Sequence, residues 1–152
     1  DCAEITHRLM EDFLNVILRE GNIEKAARLI RRTLSNFEQL PIQMIAIPKG
    51  VRKDLDDYAT ESAWIVGIRN AQQWLGLRFR QDRKPRLLYM KRPVDRLCIT
   101  EDVERLPEDF VIDYEKMKEK TIIHKFKPLV ESLGLSWNIV VEGQATLERW
   151  IA

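Results

Sequence analysis

The sequence predicts a mainly α-helical protein with a few short strands, an α+β fold. Three observations lead there. Residues 3–20, 23–37 and 61–75 each repeat apolar side chains at the three- and four-residue spacing of an amphipathic helix. Two apolar segments, 41–48 and 86–90, are too short for such helices and have the length of strands. Glycine, asparagine and proline fall at the joints between these runs, where helices stop or restart.

The first helix, over 3–20, turns Ile5, Leu9, Phe13, Val16 and Ile17 to one face. Gly21 ends it, and Asn22 is a good N-cap for the next. That second helix runs to about Phe37 with Ile23, Ala26, Ala27, Ile30, Leu34 and Phe37 inward, and with Lys25, Arg28, Arg31 and Arg32 outward. A tight turn between the two makes an antiparallel pair, a helical hairpin over residues 1–40. Residues 41–48 alternate between prolines and read as a short edge strand. A polar stretch with Lys49, Arg52 and Lys53 around Gly50 comes next. The third helix, over 61–75, stops at Gly76 and buries Trp64, Ile65, Ile68, Ala71 and Leu75; Trp64 and Trp74 read as core residues. Residues 86–90 form a buried strand, closing a small α/β subdomain over 41–112. A last helix over 113–135 is bent or interrupted near Pro128, and 136–152 form a C-terminal tail beyond a domain of residues 1–135.

At 152 residues the chain suffices for one compact domain with appendages. Charged residues make up 32% of it, yet the formal net charge is +1, so only the distribution of charge can point to a polyanion. That distribution is segregated. Arg78, Arg80, Arg83, Lys84, Arg86, Lys91, Arg92 and Arg96 dominate residues 78–96, and Glu101, Asp102, Glu104, Glu108 and Asp109 come directly after. Cys2 and Cys98 form no CxxC pair and no Cys/His cluster, which predicts reduced, structural thiols. No apolar run approaches the ~20 residues of a membrane span. A cytoplasmic, nucleoid-associated protein with no membrane partner is expected.

Enzyme signatures are missing: no GxGxxG, no Walker-type loop, no HExxH, no GxSxG. His7 and His124 have no neighbouring nucleophile or metal partner and read as ordinary helix residues. Asp56-Asp57 and Glu101-Asp102 read as caps and turns. No catalytic residue and no metal ligand is assigned.

Four segments, in order, resemble the C-terminal region of archaeal-type family B DNA polymerases. Asp1-Cys2-Ala3-Glu4-Ile5-Thr6 resembles the junction of palm and thumb, and Gly21 to Ala26 resembles the thumb's opening hairpin. Ile47-Pro48-Lys49-Gly50-Val51-Arg52-Lys53, through to Tyr58, resembles the segment that lies against the primer backbone, with Lys53 and Tyr58 matching best. The helix after it opens in the family with a histidine–valine pair; here Trp64-Ile65 and Gly67 stand there. Residues 86–92 resemble the strand before the family's acidic connector. Pro107-Glu108-Asp109-Phe110, with Asp113-Tyr114 and Lys120 to Ile123, resembles the family's next segment, though Lys116-Met117 and His124 replace its tyrosine pair and proline.

The resemblance covers nearly the whole chain and implies a thumb-like domain without catalytic aspartates, the small subunit of a split polymerase or part of a longer one. Palm and exonuclease belong to another chain or an upstream segment. Magnesium belongs to that palm, with no cofactor in this chain. The implied partner is primer–template DNA, held through phosphates, which calls for Lys, Arg and backbone donors rather than base-reading groups. The candidate contacts are Lys49, Arg52, Lys53 and Tyr58, then Arg83, Lys84, Arg86, Lys91 and Arg92. In the tail, Gln144, Leu147, Trp150 and Ile151 have the spacing of a sliding-clamp interaction box: a turn of helix gathers the apolar residues into a plug beside the glutamine. Two other readings stand beside this one. One is a helical protein-interaction subunit of a replication complex. The other is a small regulatory DNA-binding domain reading bases with Arg69-Asn70 and Gln72-Gln73.

Overall fold

A computed structural model describes residues 2–49, 58–80 and 83–143. The fold is α+β: mainly helical, with a small antiparallel sheet of four short strands among the described residues. The chain divides into two compact units, one of Asp1–Glu4 and Leu40–Met117, the other of Ile5–Gln39 and Lys118–Ala152.

The second unit is helical. Helix α1 (Glu4–Glu20) buries Ile5, Leu9 and Phe13 on its predicted face. Gly21 and Asn22 then punctuate the chain as expected, the Asn22 carboxamide accepting the Lys25 backbone N–H at 3.0 Å. Helix α2 (Ile23–Ser35) is shorter than predicted, and Phe37 reaches the core from a 3-10 turn (Phe37–Gln39) instead. Ile23 is exposed rather than inward, because the first residue of the helix lies beyond the stripe formed by Ala26, Ala27 and Ile30.

The last helical stretch is interrupted, and the interruption lies upstream of Pro128. A π turn (Glu119–Ile123) precedes helix α6 (His124–Ser132), and Pro128 sits inside that helix. The buried Thr6 hydroxyl donates to the Thr121 carbonyl at 2.7 Å, an inserted side-chain contact of the kind that accompanies a broken helical ladder. One turn on, Phe126 meets Phe13 edge to face, with ring centroids 5.9 Å apart and planes at 75°. Residues 137–142, read from sequence as part of a tail, form helix α7 (Trp137–Glu142), which packs on α2 with Val140 buried. Arg31, predicted on the outer face of α2, is half-buried instead: its Nε donates to the Val140 carbonyl at 3.1 Å, filling an acceptor left open at the end of α7. Gly143 closes α7 at φ +66°, and any Cβ there would overlap the Arg31 guanidinium.

The first unit carries the sheet. Residues 41–46 are not the predicted strand. A single helical turn, α3 (Ile42–Ile45), opens behind Pro41, and only β1 (Ile47–Pro48) joins the sheet. Pro41 suits a helix start, and Gln43 turns inward to donate its amide to the carbonyls of Thr100 at 2.9 Å and Val103 at 2.6 Å. Strand β2 (Arg86–Arg92), longer than predicted, is the hub. It pairs antiparallel with β1 at one end, with β3 (Arg96–Ile99) along its other edge and with β4 (Val111–Ile112) near its far end. Neither β3 nor β4 is evident in the sequence, being four and two residues long between charged flanks.

Helix α4 (Tyr58–Leu75) lies on one face of the sheet. Trp64 joins Leu87 and Cys98, which are cross-strand partners, with Ile47, Ile68, Phe79 and Tyr89 around them. The approach is close because position 67 is glycine: an added Cβ would stand 2.6 Å from the Cys98 sulfur and 3.1 Å from both the Cys98 nitrogen and a Leu87 methyl. Two residues predicted inward are not: Ile65 and Trp74 are each 47% exposed, since the buried stripe of α4 runs through Ala63, Trp64, Gly67 and Ala71. Helix α5 (Tyr114–Lys118) completes the unit with Met117, whose sulfur accepts the Tyr89 backbone N–H at 3.2 Å.

Both cysteines are free thiols. Burial pushes the Cys98 thiol up to about 12 from 9.0, against the pull of the Lys49 ammonium, and the thiol donates to the Trp64 carbonyl at 3.5 Å. Because the folded state holds this proton more tightly, Cys98 supports the fold fully below pH 9 and its contribution is lost as pH rises from 9 toward 12. Alkaline stability is therefore expected to decline less in Cys98→Ala than in the parent chain. Equal declines in urea titrations on both sides of pH 9 would remove Cys98 as the cause.

Candidate nucleic-acid interface

Strand β2 sets where most of the predicted contacts stand. Lys49 extends the pairing beyond β1 by donating its backbone N–H to the Pro85 carbonyl at 3.1 Å. That bond brings Lys49 to the same end of β2 as Arg83, Lys84 and Arg86. Lys91 and Arg92 occupy the opposite end, roughly 20 Å away at the ~3.3 Å rise of a strand residue.

These cations differ in how they are engaged. Arg86 is half-buried and spends its guanidinium on the Gln43 backbone carbonyl and side-chain oxygen, both at 3.2 Å. It braces α3 against the sheet. Arg83 forms an ion pair with Asp102, so part of the segregated charge seen in sequence closes on itself in the fold. Lys49 is half-buried and electrostatically close to Cys98. Lys84, Lys91 and Arg92 are exposed and have no ion-pair partner among the described residues. Arg52 and Lys53 lie outside the described residues. Tyr58 is the first residue of α4, and its side chain falls outside them too. Gln144, Leu147, Trp150 and Ile151 likewise lie outside, beginning directly after the Gly143 cap.

Two cations absent from the predicted contact set have the same character as Lys84. Residues 77–80, Leu-Arg-Phe-Arg, alternate: Phe79 packs into the cluster beneath α4, which leaves Arg78 and Arg80 exposed on the other side, without ion pairs among the described residues. The signal was the two-residue period itself, hidden inside a longer basic stretch. The Arg80 carbonyl then accepts the Arg83 N–H at 3.0 Å, tying this segment to the approach to β2.

Other positions are taken up by the fold. Asn70, one of the four base-reading candidates on α4, donates its amide to the Arg96 carbonyl at 2.8 Å. Met117 is buried, and the Lys116 ammonium stands 4.8 Å above the Tyr89 ring, a cation–π contact. Among the described residues no group of three His, Cys, Asp or Glu side chains is placed to hold a metal ion, and no helix is long and apolar enough to cross a membrane. No protein-family model matches the chain, and no curated protein matches it.

Proposed function

We propose that this chain grips primer–template duplex through its phosphates, as the thumb-like part of a family B DNA polymerase whose catalytic palm lies upstream or in another chain. The observation that carries this reading is the set of exposed cations along β2 and its approach that have no ion pair among the described residues: Arg78, Arg80 and Lys84 at one end, Lys91 and Arg92 at the other. A duplex presents about one negative charge per 1.7 Å of axis, so the roughly 20 Å between these ends faces on the order of a dozen phosphates. Groups spaced in this way read backbone and not sequence. Four ordered sequence segments that resemble the family, the basic strand among them, support the assignment to a polymerase rather than to a sequence-specific regulator.

The test is fluorescence anisotropy of a labelled primer–template duplex against a salt series, beside an equal-length single strand. Duplex preference, indifference to sequence and a steep fall with salt are expected. In Lys91→Ala/Arg92→Ala the log–log salt slope falls by about two, since each lost phosphate contact removes about 0.9. Both side chains are exposed, so the fold is retained, which circular dichroism checks. An unchanged slope and affinity would take the hairpin between β2 and β3 out of the interface. The tail box enters the same experiment. A sliding clamp, added at salt that dissociates the chain from DNA, restores the complex if Gln144, Leu147, Trp150 and Ile151 engage it; an unmoved salt curve removes that contact.

A further inference from the structure

The acidic segment after β3 does more than connect. Residues 100–110 include two backbone turns, closed by the Val103 N–H on the Thr100 carbonyl at 3.2 Å and the Phe110 N–H on the Pro107 carbonyl at 3.0 Å. Gln43 braces the first of them from within through the carbonyls of Thr100 and Val103. Between these turns and α3 lies an open groove of about 440 Å³. Its floor is apolar, built from Ile42, Leu106, Phe110, Val111 and Ile112, and all but the last remain partly open to solvent. At its rim stand Glu104 and Glu108, exposed and without ion pairs among the described residues. Glu101 and Asp109 are exposed beside them in sequence, and Arg105 is the one cation among the described lining residues.

Apolar floors ringed by polar groups mark interaction sites, and a volume in the range of roughly 300–1,000 Å³ accommodates a few anchoring side chains. A groove braced by backbone hydrogen bonds needs little ordering on binding. Its charge selects the occupant. Carboxylates in excess over cations repel nucleic acid and attract Lys and Arg, so this surface is opposite in sign to the cations along β2.

We infer that this groove docks a short peptide segment of a partner protein, one that carries aliphatic or aromatic anchors flanked by lysine and arginine. The anchors fill the space over Leu106 and Phe110, and the flanking cations meet Glu104 and Glu108. Nothing in this assignment uses the residues of the duplex interface, so either can fail alone.

The test is anisotropy of three fluorescein-labelled octapeptides with the full chain across a salt series: KKLRWLKK, its acidic counterpart EELEWLEE, and the anchorless KKGRGGKK. Saturable binding of the first, at least about ten-fold tighter than the other two, is expected from combined apolar and charge complementarity. Glu104→Gln/Glu108→Gln weakens it by roughly five- to ten-fold and flattens its salt dependence, with both substitutions at exposed positions that leave the fold intact. Phe110→Ala weakens it by at least about ten-fold through loss of the anchor's floor. Equal binding of all three peptides, or an unaltered response in the glutamine variant, would overturn the inference. A dimer of the parent chain that dissociates on Glu104→Gln/Glu108→Gln would overturn it too, by making the occupant a second copy.

Discussion

Gly67→Leu is expected to lower the melting temperature of the sheet unit by roughly 15 °C or more, the consequence of about 3 kcal/mol of overpacking in a unit of this size. The neighbours leave no room. A Cβ alone stands 2.6 Å from the Cys98 sulfur, which is held by its bond to the Trp64 carbonyl, and 3.1 Å from backbone and methyl atoms on the sheet. A leucine must lift α4 from β2 and β3, and the burial of Trp64, Leu87 and Cys98 goes with it. Gly67→Ala is milder. It gains about 1 kcal/mol of helix propensity and loses roughly 1–3 to the overlap. Cys98→Ala removes the nearest of the three atoms, so the double variant should recover about 1 kcal/mol relative to the sum of the singles. Thermal denaturation of the four proteins gives the cycle; a Gly67→Leu variant that melts like the parent would refute the close packing of α4.

Phe126→Ala is expected to cost about 3–5 kcal/mol, the range for a fully buried phenylalanine. Its ring is completely enclosed and meets Phe13 edge to face, so the substitution removes an aromatic pair and leaves a cavity in the helical unit. Lys125→Ala and Lys127→Ala, at the exposed positions on either side, should each move stability by less than about 0.5 kcal/mol. Urea unfolding followed by circular dichroism separates these outcomes. A loss below about 1 kcal/mol for Phe126→Ala, inside the range of ordinary substitutions, would mean that the Phe13–Phe126 contact is not part of a packed core.

What the sequence made legible was whatever a local period encodes. Helices α1, α2 and α4 and the strand at Arg86 come from spacing, and the Gly21–Asn22 break comes from capping chemistry. Three things stayed hidden, for physical reasons. Strands β3 and β4 are too short to show a period and exist because β2 offers them an edge. Ile65, Trp74 and Ile23 are expected inside, but the buried stripe of α4 runs through Ala63, Trp64, Gly67 and Ala71, and that of α2 begins only at Ala26. Arg31 and Arg86 read as surface charge, and only the fold reveals the carbonyls that claim them: Val140 in one case and Gln43 in the other. For the candidate interface, composition located the basic stretch, but pairing sorted it. Arg83 and Arg86 are engaged, whereas Lys84, Lys91 and Arg92 have no ion pair among the described residues.

The partition of the chain also sets an order of events during synthesis. The helical unit is assembled from residues on both sides of the sheet unit, so Phe13 waits for Phe126 across more than a hundred intervening positions. On a ribosome adding roughly 5–20 residues per second, the segment from Leu40 to Met117 takes about 4–16 s to appear. The sheet unit can close as a largely continuous stretch in that interval, while α1 and α2 present an unfilled apolar face. Nascent chains released before the π turn and α6 emerge should therefore be sticky, and a chaperone that captures exposed helices should bind them more than the finished protein.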